Sequence, residues 1–287
     1  MSTLSDTTAL VTGASRGIGR GIALALGDAG ATVYVTGRSV AADRTDGLPG
    51  TVDDTAAAVT DRGGRGIAVQ CDHTDDEAVA ALFDRIDRDF ASERAADEPG
   101  GLDLLVNNVW GGYEGYGAGF DDPFWEQSVE TWDRMFDAGV RAHFTASRLA
   151  VPRMLAAGGG LVVTVSAGHG DRYRGNVPYD VSKTATERLT RVMAHELRDA
   201  PVAAVAVQPG FTRTERVLDA VGDDADTLAE TESPLYTGRA VVALAADSAV
   251  GERSGGVYRV GDLAREYGFT DVDGSQPPPF DLPSEPL

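Results

Sequence analysis

Tyr179 and Lys183, four residues apart, are the two side chains of this sequence best suited to moving a proton together. On a helix, residues i and i+4 share one face, so the phenol and the ammonium would lie close to each other. A tyrosine ordinarily gives up its proton near pH 10, and a neighbouring cation favours the phenolate. The pair therefore predicts acid–base chemistry near neutral pH.

The composition makes Lys183 unusual, because it is the single lysine among 25 basic side chains and all the others are arginines. An ammonium is a compact donor that binds hydroxyls and can hand on a proton, whereas a guanidinium is a planar fork that keeps its proton. Many tyrosine–lysine pairs at this spacing are ordinary surface pairs. A general preference for arginine does not explain the surviving lysine, so we interpret Lys183 as functional.

Ser166 ends the apolar run VVTVS, thirteen residues before Tyr179. A hydroxyl at that place could hold a substrate carbonyl oxygen beside the phenol. The alternative is a serine that only closes a turn after a strand. We predict a catalytic group of Ser166, Tyr179 and Lys183.

A second candidate site is the glycine-rich stretch TGASRGIG at 12–19, which follows an apolar run and opens a helical pattern. Glycines permit a tight turn and a close approach of the backbone to a pyrophosphate at the positive end of a helix. An ordinary strand–helix turn is the alternative, and the position between strand and helix favours the nucleotide. The residues predicted to form this site are Gly13, Ser15, Arg16, Gly17, Ile18 and Gly19.

The second apolar run ends in VTGRS, at the point where NAD-binding domains place an acidic residue for the ribose 2′-hydroxyl. Arg38 stands there instead, and a guanidinium suits a 2′-phosphate. We therefore predict NADP(H) in preference to NAD(H), with Arg16 as a second ligand. The alternative is that Arg38 is a solvated loop charge. Asp72, which follows the third run, is either a contact to the adenine or the acid that often precedes a helix.

Apolar runs and helical patterns alternate along the chain, which is typical of a parallel sheet with helices on both faces. We predict one Rossmann-type, doubly wound α/β domain over 1–262 and a C-terminal extension over 263–287. In such a sheet, ligands bind beyond the carboxyl ends of the strands, where these motifs lie. Strands are expected at 7–13, 31–38, 66–72, 102–108, 160–167, 202–210 and 255–260, and helices at 17–30, 51–64, 74–90, 125–156, 178–199 and 238–247.

Taken together, the motifs resemble those of the short-chain dehydrogenase/reductase family over residues 5–262. TGASRGIG matches the family's TGxxxGxG motif, and VNN at 106–108 lies where the family has NNAG. YDVSK at 179–183 matches YxxxK, and PGFTRT at 209–214 matches the Pro-Gly segment that borders the cofactor.

The resemblance implies an oxidoreductase that acts on a small carbonyl or alcohol. Tyr179 would be the acid and base, Lys183 would bind ribose and tune Tyr179, and Ser166 would orient the substrate. It also implies a homodimer or homotetramer, because family members commonly pair through their two long central helices. Further cofactor contacts are implied for Asn107, Pro209, Gly210, Thr212 and Thr214.

The chain departs from the family pattern at three places. Val109 and Trp110 replace the alanine and glycine of NNAG and would crowd the cleft. Gly139 stands where the family has a catalytic asparagine, so the usual water relay from the lysine lacks that side chain. Ala167 replaces a second serine. The stretches 37–58 and 263–274 resemble the SDR family member 1 branch, which shares the glycine.

Gly139 leaves a rival interpretation open, which is a cofactor-binding sensor that has lost catalysis. A third interpretation, a structural assembly protein, would need an exposed apolar patch.

The segment 110–125 is either a mobile loop, with Trp110, Tyr113 and Tyr116 lining an apolar pocket, or a packed surface loop. The segment 215–236 fits a lid. His169 either faces the pocket or is a plain loop residue, and no histidine has metal-ligand spacing.

The formal charge of −20 opposes binding to nucleic acid and to anionic membranes. An acidic, lysine-poor surface is typical of proteins from salty cytoplasm, and a GC-rich coding sequence is the alternative cause.

The sequence shows neither a run of about 18 apolar residues nor a signal-peptide pattern. With a single cysteine, Cys71, an intrachain disulfide is excluded. A cytoplasmic location is expected.

Overall fold

Parallel strands form a seven-stranded sheet in the part of the chain that the computed structural model describes, which is residues 4–93, 101–114, 120, 122–167, 172–173, 175–222 and 224–280. The strands are Thr8–Val11 (β1), Thr32–Gly37 (β2), Arg65–Gln70 (β3), Leu104–Asn107 (β4), Gly160–Val165 (β5), Val202–Gln208 (β6) and Val257–Arg259 (β7). Their order across the sheet is β3-β2-β1-β4-β5-β6-β7. The predicted doubly wound parallel sheet is confirmed.

Helices cover both faces of this sheet, as the two cores beside β1 show. Ala9 and Val11 pack in one apolar cluster with Ile22, whereas Leu10 packs in the other with Phe83. Successive strand side chains point to opposite faces, so each face has its own core. The helices are Gly17–Asp28 (α1), Val52–Asp61 (α2), Asp76–Glu93 (α3), Val129–Phe136 (α4), Ala142–Ala157 (α5), Val177–Glu196 (α6), Glu215–Val221 (α7), Ala225–Ala229 (α8), Pro234–Ala246 (α9) and Val260–Tyr267 (α10).

The strand order reverses beside β1, which pairs with β2 on one side and β4 on the other. Val11 aligns with Val35 of β2 and with Val106 of β4. Where the order reverses, the loops after neighbouring strands diverge and leave a crevice beyond their carboxyl ends. The glycine turn after β1 and the segment 108–114 after β4 therefore border one cleft.

The helical stretch predicted at 125–156 starts later and is interrupted. It begins at α4, where Oγ of Ser128 accepts the N–H of Thr131 at 3.2 Å. A π-helical turn over Asp137–Arg141 then separates α4 from α5. Such turns add one residue to a helix and occur often at functional sites. Gly139 lies inside this turn.

The chain beyond β7 packs against α9. Helix α10 crosses residue 262, where the extension was expected to begin. Further on, the buried carboxylate of Asp271 accepts the N–H of Ser233 at 2.7 Å, and Oη of Tyr236 donates to the carbonyl of Pro277 at 3.1 Å. The division of the chain at 262 stays a prediction. None of the helices given above is long and apolar enough to cross a membrane.

Candidate active site

Glycines close the turn between β1 and α1. Gly17 has a φ of +58°, which other residues rarely adopt. A Cβ on Gly19 would lie 2.3 Å from the carbonyl oxygen of Gly13, so only hydrogen fits there. Helix α1 starts at Gly17, and the positive end of its dipole therefore borders the cleft.

A cleft of about 670 Å³ lies beyond the carboxyl ends of the strands, and the predicted site residues divide between its wall and the layer behind it. Those in the wall are Gly13, Ser15, Arg16, Gly17, Ile18, Gly19, Arg38, Asp72 and Thr214. Those outside the wall are Asn107, Ser166, Tyr179, Lys183, Pro209, Gly210 and Thr212.

The two arginines predicted to bind a 2′-phosphate both line the cleft, and groups of the chain already engage them. Arg38 forms an ion pair with Glu114, which sequence reasoning missed because no local pattern connects positions so far apart. Arg16 donates from Nε to the carbonyl of Pro49 at 3.1 Å and from Nη2 to Oγ of Ser39 at 2.8 Å. The structure thus brings both guanidiniums to the same end of the cleft.

Glu215 places a carboxylate at the start of α1, another contact that the sequence did not reveal. Its Oε2 accepts the N–H of Gly17 at 2.7 Å. Thr214 fixes the approach of this glutamate, because its Oγ1 caps α7 by accepting the N–H of Val217 at 3.3 Å. A carboxylate bound there shows that the turn accepts an oxyanion, which is the chemistry that a pyrophosphate requires. The residues present therefore fit a dinucleotide.

Asp72 is an anchored acid in the cleft wall. Its Oδ1 accepts the N–H of Thr74 at 2.9 Å and the hydroxyl of the same residue at 2.7 Å. Burial alone would raise the pKa of Asp72, but these two hydrogen bonds and the positive charge of Arg38 together outweigh burial, so the pKa is lowered. For the neighbouring His73, burial lowers the pKa to about 4, so this ring is neutral at pH 7.

The two asparagines after β4 have different partners. Asn107 is buried, and its Nδ2 donates to Oγ of Ser147 at 2.9 Å. Asn108 lines the cleft, and its Nδ2 donates to the carbonyls of Thr12 and Gly13 at 2.9 and 3.0 Å. Asn108 therefore ties β4 to the glycine turn, while the predicted cofactor role of Asn107 stays a prediction.

The first turns of α6 carry Tyr179 and Lys183. Asn176 caps this helix, because its Oδ1 accepts the N–H of Tyr179 at 2.9 Å. Pro178 follows in the first turn, where its missing N–H costs nothing. The Nζ of Lys183 lies 5.7 Å from the centre of the Tyr179 ring. The predicted pair is thus brought together on one helix face.

Aromatic rings surround Tyr179. The ring centres of Trp110, Tyr113 and Phe120 lie 5.6, 6.1 and 5.8 Å from that of Tyr179. Of the other residues weighed for this pocket, Tyr116 and His169 lie outside the described residues. The described part of the loop packs on the catalytic candidate, which gives the phenol an apolar setting.

Ser166 is buried beside α6. Its Oγ lies 3.2 Å from the carbonyl oxygen of Lys183 and 3.1 Å from Oε1 of Glu187. The same oxygen of Glu187 accepts Nε2 of Gln208, at the end of β6, at 2.7 Å. A buried glutamate therefore links the ends of β5 and β6. Sequence reasoning missed it, although it follows Lys183 by one helical turn.

His143 supports the segment that leads to Trp110. Its Nε2 lies 3.1 Å from the carbonyl oxygen of Val109, and because a carbonyl only accepts, this nitrogen carries the proton. Burial, with the positive charge of Lys183 as a smaller cause, lowers the pKa of His143 to about 3. The ring is neutral at pH 7 and acts as a donor.

The Pro-Gly segment rests on a buried acid. Thr212 donates from Oγ1 to the carbonyl of Gly210 at 3.1 Å. Beneath them Glu232 is almost fully buried, and burial raises its pKa to about 7. A second cavity of about 300 Å³ lies between this segment and 277–280. The C-terminal residues therefore border the predicted cofactor segment across this cavity.

Comparisons with known proteins agree with this fold. The family model for short chain dehydrogenase matches residues 7–224. Dehydrogenase/reductase SDR family member 1 of Mus musculus is 39% identical over 277 residues, covering 92% of this chain and 83% of that protein.

Solved structures show the same likeness. A short chain dehydrogenase from Mycobacterium thermoresistibile has a TM-score of 0.80 at 25% identity, covering 99% of this chain and 97% of that one. A structure from Beutenbergia cavernae with NADP bound at low occupancy has a TM-score of 0.70 at 30% identity, covering 90% of this chain and 96% of that one.

The fold and the matches define an oxidoreductase built on a dinucleotide-binding sheet. The chain belongs to the short-chain dehydrogenase/reductase family and, within it, to the branch of SDR family member 1.

Proposed function

We propose that this protein is an NADP(H)-dependent oxidoreductase that interconverts a carbonyl compound and an alcohol, with Tyr179 as its acid and base. One observation carries the proposal. Tyr179 and Lys183 lie one turn apart on α6, and both contact Trp110, a residue of the cleft wall. A proton donor and a cation therefore stand beside a cleft whose glycine turn suits a pyrophosphate.

The preference for NADP(H) is supported by the charges at one end of the cleft. Arg16 and Arg38 both line it, and the residue before Arg38 is Gly37 rather than an acid. Guanidiniums bind a phosphate through charge-assisted bonds that a hydroxyl cannot match. The pair of Arg38 with Glu114 is partly exposed, and such pairs contribute only ~0–1 kcal/mol, so a 2′-phosphate would displace the carboxylate.

The cofactor, when bound, supplies or accepts the hydride. Tyr179 gives its phenolic proton to the carbonyl oxygen during reduction and takes a proton back during oxidation. Lys183 binds the ribose hydroxyls and favours the phenolate. Ser166 orients the substrate oxygen, and because its hydroxyl now lies against α6, it rotates towards the substrate to donate.

The substrate is a small carbonyl or alcohol with an apolar body. The rings of Trp110, Tyr113 and Phe120 around Tyr179 support this, because apolar and aromatic linings with few polar groups are typical of small-molecule sites. The guanidinium of Arg216, on α7, lies 5.9 Å from the centre of the Tyr113 ring. Helix α7 thus reaches the pocket, as a lid over the substrate would.

A cofactor-binding sensor without turnover is the second candidate, favoured by Gly139 in place of the family asparagine. A panel of aldehydes, ketones and alcohols, assayed with NADPH or NADP⁺ in low and high salt, separates the two. We expect turnover of at least one member. NADPH binding without turnover of any member would contradict the enzyme and favour the sensor.

We propose a homodimer or homotetramer that pairs through α4–α5 and α6. Apolar side chains on these helices and just before them support the proposal, because they remain exposed in the single chain: Phe124, Trp125, Val129, Trp132, Phe144, Val181 and Val192. Several large exposed apolar side chains on the helices named favour a contact with a second copy of the chain. Light scattering should show an oligomer, and a monomer at micromolar concentration in both low and high salt would contradict it.

A further inference from the structure

The candidate catalytic lysine rests on an indole. The Nζ of Lys183 lies 3.7 Å from the centre of the Trp110 ring, and Tyr179 meets the same indole edge to face, with centres 5.6 Å apart. Lys183 is 9% exposed, and Trp110 rather than Lys183 lines the cleft. The indole therefore contacts both members of the proton-transfer pair and is itself part of the cleft wall.

The indole fits there because two glycines leave room for it. A Cβ on Gly139 would lie 2.5 Å from Cζ3 of Trp110, and a Cβ on Gly112 would lie 2.4 Å from its Cζ2. Neither glycine has a positive φ, so both are required for space rather than for backbone conformation. Any side chain at position 139, an asparagine included, would collide with the ring.

The slot for the indole is attached to the helix that carries the lysine. Gly139 lies in the π-helical turn, and its carbonyl accepts Oγ1 of Thr186 at 3.2 Å. Thr186 follows Lys183 on α6 by nearly one helical turn. Tyr113 packs on the indole as well, edge to face at 5.8 Å. The indole is therefore held in a fixed relation to the ammonium.

We propose that Trp110 is a positioning residue of the active site, whose indole holds the ammonium of Lys183 beside Tyr179 in the volume that an asparagine side chain at position 139 would need. This inference deepens the proposed function and rests on it. A tryptophan face attracts a cation strongly, and most strongly where water is excluded. The ring packs against one side of the ammonium and holds its charge on the helix face that Tyr179 shares.

Two substitutions at position 110 separate an aromatic face from apolar bulk. The substrate is one that the wild type reduces with NADPH. We expect Trp110→Leu to lower kcat at least about tenfold while the KM for NADPH changes less than about threefold. Trp110→Phe keeps a ring and should recover most of the lost kcat. Val272→Ala, at an apolar side chain that is 52% exposed and outside the cleft wall, is the control and should leave both constants unchanged.

A second arm tests the slot itself. Gly139→Ala adds a methyl that meets the indole, so kcat should fall in the otherwise wild-type chain. In the Trp110→Leu chain the same methyl meets no ring and should have little further effect. Gly251→Ala is the matched control, because a Cβ there meets open space.

Three results would each overturn the positioning role. They are equal kcat values for Trp110→Leu and Trp110→Phe, faster turnover with tighter NADPH binding in Trp110→Leu, and additive losses in the double variant. The second result would mean that the indole blocks the access of NADPH to Lys183. If Trp110→Leu does not keep the melting temperature of the wild type, the Trp110→Phe and Gly139→Ala chains decide the question. A wild type that turns over no panel member would overturn the proposed function and this role together.

Discussion

The two ends of the cleft both have their binding groups engaged by the chain itself, but by different kinds of side chain. At the nucleotide end, Glu114 pairs with Arg38 and Glu215 accepts a hydrogen bond from the start of α1. At the catalytic end, the indole of Trp110 covers Lys183. The carboxylates occupy places that suit phosphates, whereas the indole is an uncharged ring that a phosphate would not replace.

The difference teaches which contacts a cofactor replaces. The pair between Arg38 and Glu114 is partly exposed, and such pairs are weak enough for a phosphate to displace. The indole of Trp110 sits in a slot that Gly112 and Gly139 leave for it, where displacement would lose close packing. We infer that the nucleotide end exchanges its partners on binding and that the catalytic end keeps its partner.

The largest effect is expected at the catalytic end. Tyr179→Phe removes the proton donor and should lower kcat by about a thousandfold, within the range of about 10²–10⁴ that general acid–base catalysis contributes. Tyr173→Phe, at an exposed tyrosine, is the control and should keep full turnover. Steady-state kinetics on an active panel substrate measures both. Turnover in Tyr179→Phe close to that of the wild type would remove Tyr179 from the chemistry.

Lys183→Arg keeps the charge and should still lower turnover at least about tenfold, or about 1.4 kcal/mol of barrier. The planar guanidinium is bulkier than the ammonium on the indole and cannot hand on a proton. Both kcat and the NADPH constant are to be measured. If the glycine at position 139 has already abolished the water relay from the lysine, Lys183→Arg instead raises the KM for NADPH and leaves kcat nearly unchanged. Wild-type values for both constants in a folded chain would mean that the lysine is incidental.

At the nucleotide end, Arg38→Ala should weaken NADPH binding about tenfold and NADH binding less than about twofold, because a charge-assisted bond is lost only with the 2′-phosphate. Fluorescence titration of both cofactors gives the dissociation constants. Arg44→Ala, an exposed arginine in the following loop, should change neither. Wild-type protein that binds NADH as tightly as NADPH would reverse the cofactor assignment.

The smallest effect should come from Glu215→Gln, and it should be a gain. A neutral amide competes less well than a carboxylate with the pyrophosphate of NADPH for the N–H of Gly17. NADPH should therefore bind about two- to fivefold more tightly, which is the range expected for a charge at a helix end. Asp219→Asn removes an equal charge from the exposed side of α7 and serves as the control. Unchanged or weaker NADPH binding in Glu215→Gln alone would show that this glutamate is not a competitor.

Short-range patterns were enough to predict the sheet and the glycine turn. Alternating apolar runs place strands and helices in order, and Gly13, Gly17 and Gly19 mark a turn by chemistry that only a few consecutive residues decide. The start of α4 was misplaced, because Ser128 and the π-helical turn interrupt a pattern that reads as one helix. The helix α10 was missed, since it is short and begins directly after β7.

The partners across the cleft could not be predicted from the sequence. Trp110 and Gly139 were each noticed as departures from a family pattern, but only packing shows that the indole needs the space beside the glycine. Glu114 and Glu215 are ordinary loop and helix-start acids in the sequence, and their partners lie 76 and 198 residues away. Contacts of that separation depend on the whole topology rather than on local spacing.

A crystal structure of the protein with NADPH tests most directly whether the nucleotide end exchanges its partners and the catalytic end keeps its partner. We expect the 2′-phosphate on Arg38 with Glu114 displaced, the pyrophosphate on the N–H of Gly17 with Glu215 displaced, and the indole of Trp110 still on Lys183. The opposite arrangement, with both carboxylates in place and the indole swung out of its slot, would contradict the account.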